Sequence, residues 1–401
     1  MKILYIHQYF KTPKEPGGTR SYWIAQELIK NGHQVTMITA DPIGSQKKRE
    51  AIIDGIKVIY LQESYSQDMS ISTRLKSFLG FVWKSINEAK KQKKIDLVIA
   101  TSTPLTVGIT ALYMKWIKKV PYIFEVRDLW PEVPIQMGAF KSPLIIKLTR
   151  WFERTIYKNA EHVIALSPGM QDGIVKYISH TKTSMIPNMA KMDEFWSRKK
   201  NSELEQKLGL NPNSFKIVHF GSLGVANGAE TIIESAKLLK GDDSVEFLFV
   251  GGGSTEKNLV EECEKHQLTN VKFLGRFPMK DTSEIVNLSD VSMVSFKDLP
   301  ILYTNSPNKL FDSLSAGKPI IVNSAAWTKE MVEENNCGYY VNPNKPQELV
   351  DKILFLKEHP EFVIEMGKKS RTLAETVYDK SLLTKQFVEV IETTYKRLNN
   401  V

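Results

Sequence analysis

The chain has 401 residues, enough for two or three domains with separate cores, and its 42% hydrophobic and 25% charged content is ordinary for a globular protein. No apolar run approaches the roughly 20 residues that span a bilayer, and the two cysteines, Cys263 and Cys337, suit a reducing cytoplasm and exclude a cysteine-built zinc site. The net charge of +9 is uneven: residues 1–185 carry 27 basic and 15 acidic residues and the remainder 27 and 30, so only the first half calls for an anionic partner, either nucleic acid or an anionic membrane surface.

Met1 to His7 is too short for a signal peptide and reads as a first strand, Lys2 to His7. A loop with Pro16-Gly17-Gly18 follows. Then comes a helix capped by Thr19 with Tyr22, Trp23, Ala25, Leu28 and Ile29 on its apolar side, and a second strand, Val35 to Thr39. This β-loop-α-β unit begins a parallel sheet, and the glycine pair lets backbone approach a ligand or simply turns the chain. It lacks the Gly-x-Gly-x-x-Gly fingerprint of nicotinamide cofactors. Strands at Asp96 to Ala100 and Pro121 to Val126 follow, the second running into Arg127-Asp128. Charges directly after a strand's last apolar residue fall at the sheet's carboxyl edge, where ligands bind. The pair either forms a local ion pair or serves an acceptor: Asp128 holding a hydroxyl, Arg127 meeting an anion.

Residues 74–94 and 140–158 mix aromatic and aliphatic side chains with lysine and arginine at helical spacing. Each reads either as a core-facing helix with a solvated basic side or as a helix lying in a lipid headgroup layer. A strand from His162 to Leu166 and a polar passage near 187–200 close the first half.

The second half opens with a strand from Phe215 to Phe220 and a glycine-rich loop, Gly221-Ser222-Leu223-Gly224-Val225-Ala226-Asn227-Gly228, leading to a helix. Such a loop cradles phosphate. Strands follow at Val245 to Val250, Val271 to Leu274 (before Gly275-Arg276) and Val291 to Phe296. Residues 304–323 then set Ser306 at an N-cap, Pro307 at the first helical position, Leu310, Phe311 and Leu314 at helical spacing, a stop at Ala316-Gly317, and a buried strand Ile320-Ile321-Val322. The helix either merely caps well or points free N–H groups at a phosphate. In the second case Asn305, Ser306, Asn308 and Leu310 border the ligand, Lys309 adds a full cation in the first turn, and Asp312 lies one turn on, where a carboxylate accepts ribose hydroxyls. Helices are expected near 327–335, 346–357, 361–375 and 381–398. No metal-binding cluster of carboxylates stands out.

These passages together resemble the family-4 retaining glycosyltransferases over nearly the whole chain. Asp312 stands where the family's second signature glutamate binds the nucleotide ribose, and Thr304 replaces the first. Ile186-Pro187-Asn188 with Asp193 and Phe195 is similar to the family's interdomain passage. Arg127-Asp128 occupies the position of a His-Asp pair. Ser222 and Asn227 occupy those of an arginine and a lysine that neutralise the diphosphate, which leaves Arg276, Lys280 and Lys309 to supply charge. The resemblance implies an α/β GT-B fold: two Rossmann-like domains facing across a central cleft bordered by Gly17 and Gly18. The expected domains are 1–187 for the acceptor and membrane, 188–378 for the nucleotide sugar, and a terminal helix at 379–401 returning to the first.

The form Asn-Ser-Pro-Asn-Lys-Leu-Phe-Asp is most similar to the N-acetyl-L-fucosaminyltransferase branch of capsule and O-antigen synthesis. The activity implied is retaining transfer of a 6-deoxy amino sugar from a UDP-sugar to an undecaprenyl-diphosphate-linked acceptor. It is expected on the cytoplasmic face of the plasma membrane, without metal, other cofactor or nucleic acid. Candidate binding residues are Gly17, Gly18, Ser222, Gly224, Asn227, Arg276, Asn305, Ser306, Asn308, Lys309, Leu310 and Asp312; candidate catalytic residues are Asp128, Arg127 and Lys309. The alternatives are a GT-B UDP-sugar 2-epimerase and a non-catalytic UDP-sugar-binding partner subunit.

Overall fold

The computed structural model describes residues 1–15, 17–64, 69 and 71–399. Pro16, of the glycine-pair loop, lies outside the described residues. The chain divides into two compact units, Met1–Pro187 with Ser381–Val401, and Asn188–Lys380.

The first unit runs β1 (Lys2–Ile6), α1 (Arg20–Lys30), β2 (Gln34–Asp41), β3 (Lys48–Ile53), β4 (Ile56–Gln62), α2 (Ile71–Ala89), β5 (Leu97–Thr101), α3 (Val107–Lys118), β6 (Tyr122–Val126), α4 (Glu132–Gln136), α5 (Pro143–Asn159), β7 (His162–Ala165), α6 (Pro168–Val175) and β8 (Thr183–Met185). Among the described residues its sheet has the order β3-β4-β2-β1-β5-β6-β7-β8. All pairs are parallel except β3 with β4. The central strands are continuous apolar runs because helices cover both faces, and Leu97 to Ala100 are fully buried. The antiparallel hairpin is absent from the sequence reading. Its signal is the Asp54-Gly55 turn, in which both residues take positive φ, 47° and 85°.

The second unit runs α7 (Ser202–Lys207), β9 (Phe215–Ser222), α8 (Glu230–Leu238), β10 (Val245–Gly252), α9 (Glu256–His266), β11 (Val271–Gly275), α10 (Met279–Leu288), β12 (Val291–Val294), α11 (Asn308–Ser315), β13 (Ile320–Val322), α12 (Trp327–Glu334), β14 (Gly338–Tyr340), α13 (Pro346–Glu358) and α14 (Pro360–Thr376). Its sheet, β11-β10-β9-β12-β13-β14, is parallel throughout the described residues. Phe247 and Phe249 pack with Ile232, Ile233 and Ile353 on one face, and Leu248 and Val250 with Phe195, Phe220 and Ile285 on the other. Alternate side chains along β10 thus serve opposite cores.

The last helix, α15 (Lys380–Asn399), belongs to the first unit from Ser381 on. Leu383, Phe387 and Ile391 are buried there. Arg20 lies 5.8 Å from the Phe387 ring centroid, and Glu392 meets His33 at 2.9 Å.

Both sheets reverse their direction of growth at one point. In the first unit the chain builds outward from β1 one way and from β5 the other; in the second, from β9 and from β12. Loops at the carboxyl ends of such strands diverge and leave a crevice for ligand.

Candidate functional site

In the second unit the crevice lies at the ends of β9 and β12. Gly221 takes φ +107°, and an added Cβ there would lie 3.6 Å from Lys309 Cε. That distance is an ordinary contact, so it is the backbone angle, and not the space beside the lysine stem, that calls for glycine here. The close approach of Gly251 is tighter: its φ is +135°, and a Cβ would sit 1.8 Å from the Gly221 carbonyl oxygen. The loop past Gly224 forms a short 3-10 turn over Val225–Asn227 and a left-handed Gly228 (φ +56°) before α8 begins at Glu230. No α-helix N-terminus therefore stands at Gly224 itself. The left-handed residue interrupts the helix, and α8 starts with an acidic residue in its first turn.

Lys309 is in the first turn of α11, yet it is buried. Its Nζ donates to Asn227 Oδ1 at 3.2 Å and faces His219 Nε2 at 3.2 Å. Among the described residues no carboxylate pairs with it. Burial pushes its pKa down to about 7, so the expected full cation is one held on the edge of losing its proton. His219, whose pKa burial and the Lys309 charge depress well below the ordinary value, is the neutral partner. It faces Ser295 Oγ through Nδ1 at 3.4 Å. The sequence reading misses His219; its position at the end of a strand that feeds a glycine loop is the available signal.

The expected cap at Ser306 is also corrected. Pro307 occupies the cap position without a side-chain bond, and α11 begins at Asn308. The Ser306 hydroxyl accepts from the Asn188 N–H at 3.3 Å, and Asn188 Nδ2 donates to the Ser306 carbonyl at 2.6 Å. Leu310 is buried and Asn308 half-buried. The Asn305 carbonyl accepts from Trp327 Nε1 at 2.8 Å, while Asn305 Oδ1 and Ser324 Oγ are buried without a hydrogen-bond partner among the described residues. Such atoms want a polar ligand.

Asp312 pairs with Lys191 at 3.2 Å, and Lys191 with Glu194 at 2.9 Å. One cation thus serves two carboxylates. Burial works against Lys191, but Asp312 and Glu194 hold its pKa above the ordinary value. Burial, with the charge of Glu194, raises Asp312 to about 6. Lys191 is a second residue the sequence reading misses. Ser222 and Asn227 come together around Gly224, whose added Cβ would lie 3.5 and 3.7 Å from them. Arg276 is exposed and lies over Gly252 at the end of β10, one strand from β9, and Lys280 is exposed on α10.

In the first unit a buried network fills the carboxyl ends of β1, β5 and β6. Arg20 Nε meets Glu125 Oε1 at 2.7 Å, with both side chains almost wholly excluded from solvent. Arg20 also donates to the carbonyls of Ile186, at 2.9 Å, and Pro187. Thr101 Oγ1 donates to Glu125 Oε2 at 2.9 Å, and His7 Nδ1 faces Ser21 Oγ at 2.7 Å. Arg127 and Asp128 are half-buried and form no ion pair with each other. Asp128 accepts from Thr103 Oγ1 at 3.2 Å, and the Arg127 N–H donates to Ser102 Oγ at 3.0 Å. Burial raises the Asp128 pKa against the nearby Arg127 charge. Gly17 is exposed at φ +132° and Gly18 half-buried.

A model of glycosyl transferases group 1 matches residues 200–373, and one of a glycosyl transferase 4-like domain matches residues 17–189. The chain belongs to the family-4 glycosyltransferases, enzymes that transfer sugars. Its curated relatives include the glycosyl transferase WcaI of Escherichia coli K12, named for colanic acid biosynthesis, at 23% identity over 98% of this chain and 100% of that protein. Spore coat protein SA of Bacillus subtilis is 24% identical over 98% and 99%. Among solved structures, Anabaena HepE in complex with UDP and glucose superposes with a TM-score of 0.73 at 20% identity, covering 98% of this chain and 99% of that one. Sucrose-phosphate synthase of Thermosynechococcus elongatus gives 0.78 at 16% identity, covering 99% of each. The fold of this glycosyltransferase is GT-B.

Proposed function

We propose that this glycosyltransferase moves a sugar from a UDP-activated donor to a lipid-linked acceptor, with retained configuration, during synthesis of a surface polysaccharide such as capsule or O-antigen. The observation that carries the reading is Lys309: a buried amine at a glycine loop, with no carboxylate partner among the described residues. A buried ammonium needs a counter-ion, and a nucleotide diphosphate is one. Colanic acid in the name of one relative and UDP in the complex of one structural neighbour support the same reading.

The reaction follows from charge. Cleaving the sugar–phosphate bond leaves UDP with added negative charge. The ammonium of Lys309 and the amides at the start of α11 stabilise that charge more than they stabilise the intact donor, which lowers the barrier. Asn227 and His219 hold the lysine where it is. Asp312, as a carboxylate, accepts the ribose hydroxyls, and the orphaned Asn305 Oδ1 and Ser324 Oγ take further donors of the nucleotide sugar. In the first unit Asp128 receives the acceptor hydroxyl and Arg127 an acceptor phosphate. The hydroxyl attacks from the face the phosphate leaves, and its proton passes to that phosphate. The resemblance of residues 305–312 to the N-acetyl-L-fucosaminyltransferase branch supports a 6-deoxy-N-acetylaminohexose as the donor sugar of this proposal, with the enzyme working peripherally at the inner face of the plasma membrane.

A panel of UDP-sugars incubated with the protein and a membrane lipid extract, read by mass spectrometry, tests this. A new glycolipid with release of UDP is expected. A donor isomerised without lipid would mean an epimerase, and UDP binding without turnover across the panel would mean a non-catalytic subunit.

A further inference from the structure

In the first unit α3 packs between α2 and α5. Ser85 on α2 bonds Thr110 on α3 at 2.7 Å, and Trp116 Nε1 on α3 donates to Asn159 Oδ1, at the end of α5, at 3.1 Å. The three helices therefore form one layer over the sheet. They hold two carboxylates in all, Glu88 and Glu153, and both are buried. The outer face of the layer has no exposed acidic residue of its own. Neighbouring carboxylates are already matched to helix cations: Glu63 to Lys84, Glu161 to Lys115 and Glu132 to Arg150.

The same outer face exposes large apolar side chains. On α5 Leu144 is 75% exposed, Leu148 59% and Trp151 61%; on α2 Trp83 is 67% exposed, and on α3 Ile117 is 64% exposed. Leu144, Leu148 and Trp151 follow one another at i, i+4 and i+7, so they form a single ridge on α5. Lys147, Arg154 and Lys158 are exposed along its flank, and none has a carboxylate partner among the described residues. The inward side of the helix is occupied: Glu153, Ile156 and Tyr157 are buried. Thus the apolar ridge is surplus to the core of this unit. Monomeric proteins rarely leave such a patch uncovered.

We infer that this outer face of α2, α3 and α5 docks on an anionic lipid bilayer, with the Leu144–Leu148–Trp151 ridge entering the headgroup layer and Lys147, Arg154 and Lys158 pairing with lipid phosphates. Charge complementarity selects this occupant. A protein partner with an acidic rim would match the cations, but it would not call for tryptophans on separate helices, a residue type that settles at headgroup depth. An amphipathic helix seats its apolar face about 5–10 Å deep, and each lysine or arginine strengthens attachment to anionic lipid by about five-fold. The inference gives a place to the lipid-linked acceptor of the proposed function and rests on that reading only for its purpose. The docking itself is tested without donor or acceptor.

The experiment is sedimentation of the full chain with vesicles of phosphatidylcholine alone or with about one-third phosphatidylglycerol. Association with the anionic vesicles is expected, weakening as salt rises. L148S/W151S is expected to lower the partition at least ten-fold. K147E/R154E is expected to lower it by a similar factor for anionic vesicles only. Ile52→Ser, at an exposed position on β3, is expected to change nothing. UDP titration of each variant verifies that the second unit is intact, and circular dichroism verifies the first. Equal sedimentation of L148S/W151S and the parent, or no sedimentation with anionic vesicles at low salt, overturns the inference. So does light scattering that shows a dimer abolished by L148S/W151S, since the ridge then belongs to a second copy. Loss of UDP binding with vesicle association retained would remove the proposed function and leave this inference standing.

Discussion

The amine of Lys309 stands 3.2 Å from Nε2 of His219, ninety residues earlier in the chain, with no carboxylate to balance it among the described residues. A charge in this position costs stability in the free protein and is useful only when an anion arrives. Lys309→Met is therefore expected to stabilise the free protein by about 2 kcal/mol at pH 6, after allowing for its two lost hydrogen bonds, and to weaken UDP by about a hundred-fold. The sign follows from linkage. A lysine whose folded pKa lies below its unfolded value destabilises the fold at low pH, and that penalty fades as pH rises through about 7 toward 10.5. Thermal melts at pH 6 and pH 9, with calorimetric titration of UDP, check both parts. An unchanged melting point together with unchanged affinity would remove the counter-ion role.

UDP affinity should pass through a maximum with pH. Asp312 binds ribose as a carboxylate, so affinity is expected to rise as pH climbs through about 6. Lys309 binds the diphosphate as an ammonium, so affinity is expected to fall as pH climbs past about 7. Titrations from pH 5 to 9 at constant ionic strength measure this. Asp312→Asn should flatten the acid limb while lowering the peak by about ten-fold, and Lys309→Met should flatten the alkaline limb. A profile flat from pH 5 to 9 in the parent protein would sink both assignments.

The Arg20–Glu125 pair has a different job. It is closed off from solvent, and Arg20 spends its remaining donors on the backbone of Ile186 and Pro187. It ties the start of α1 to β6 and to the last residues before the second unit. Arg20→Ala leaves the Glu125 charge buried and unpaired, and a loss of about 3–5 kcal/mol is expected by urea denaturation. R20M/E125L is expected to recover most of that loss. If Arg20→Ala cost under about 1 kcal/mol, the pair would be no more than a surface bridge in energetic effect.

Gly251 has no room for a methyl group, since a Cβ there would overlap the Gly221 carbonyl. Gly251→Ala is expected to cost at least about 3 kcal/mol, and to displace the loop that covers Lys309, so UDP binding falls as well. Gly241→Ala is the control. It shares a positive φ, 85°, but an added Cβ there meets nothing within 4 Å. Its cost is expected to be limited to about 1 kcal/mol.

Much of this molecule is legible one segment at a time. Leu97 to Ala100 and Ile320 to Val322 read as buried strands because every residue is apolar. Leu310, Phe311 and Leu314 read as a helix because their spacing closes one face. Those features depend on neighbours within a turn or two, and the chain order states them directly. The β3–β4 hairpin is just as local, announced by Asp54-Gly55, but the alternation of β3 is a weak signal because the strand lies exposed at the sheet edge.

What the order of residues determined, then, is the parallel strands of each sheet, the helices that connect them in the chain, and the loops that had to emerge at their carboxyl edges. Only the tertiary structure decided which charges survive burial, and with whom. Lys309 looks like any first-turn lysine until β9 brings His219 beneath it. Asp312 looks like a free carboxylate until Lys191 swings against it. The basic helices look like ordinary amphipathic ones until packing hides Glu88 and Glu153 and leaves Leu148 and Trp151 outside. Protonation and solvation depend on what lies within a few ångströms in space, and residues that far apart in sequence have no local pattern to record it.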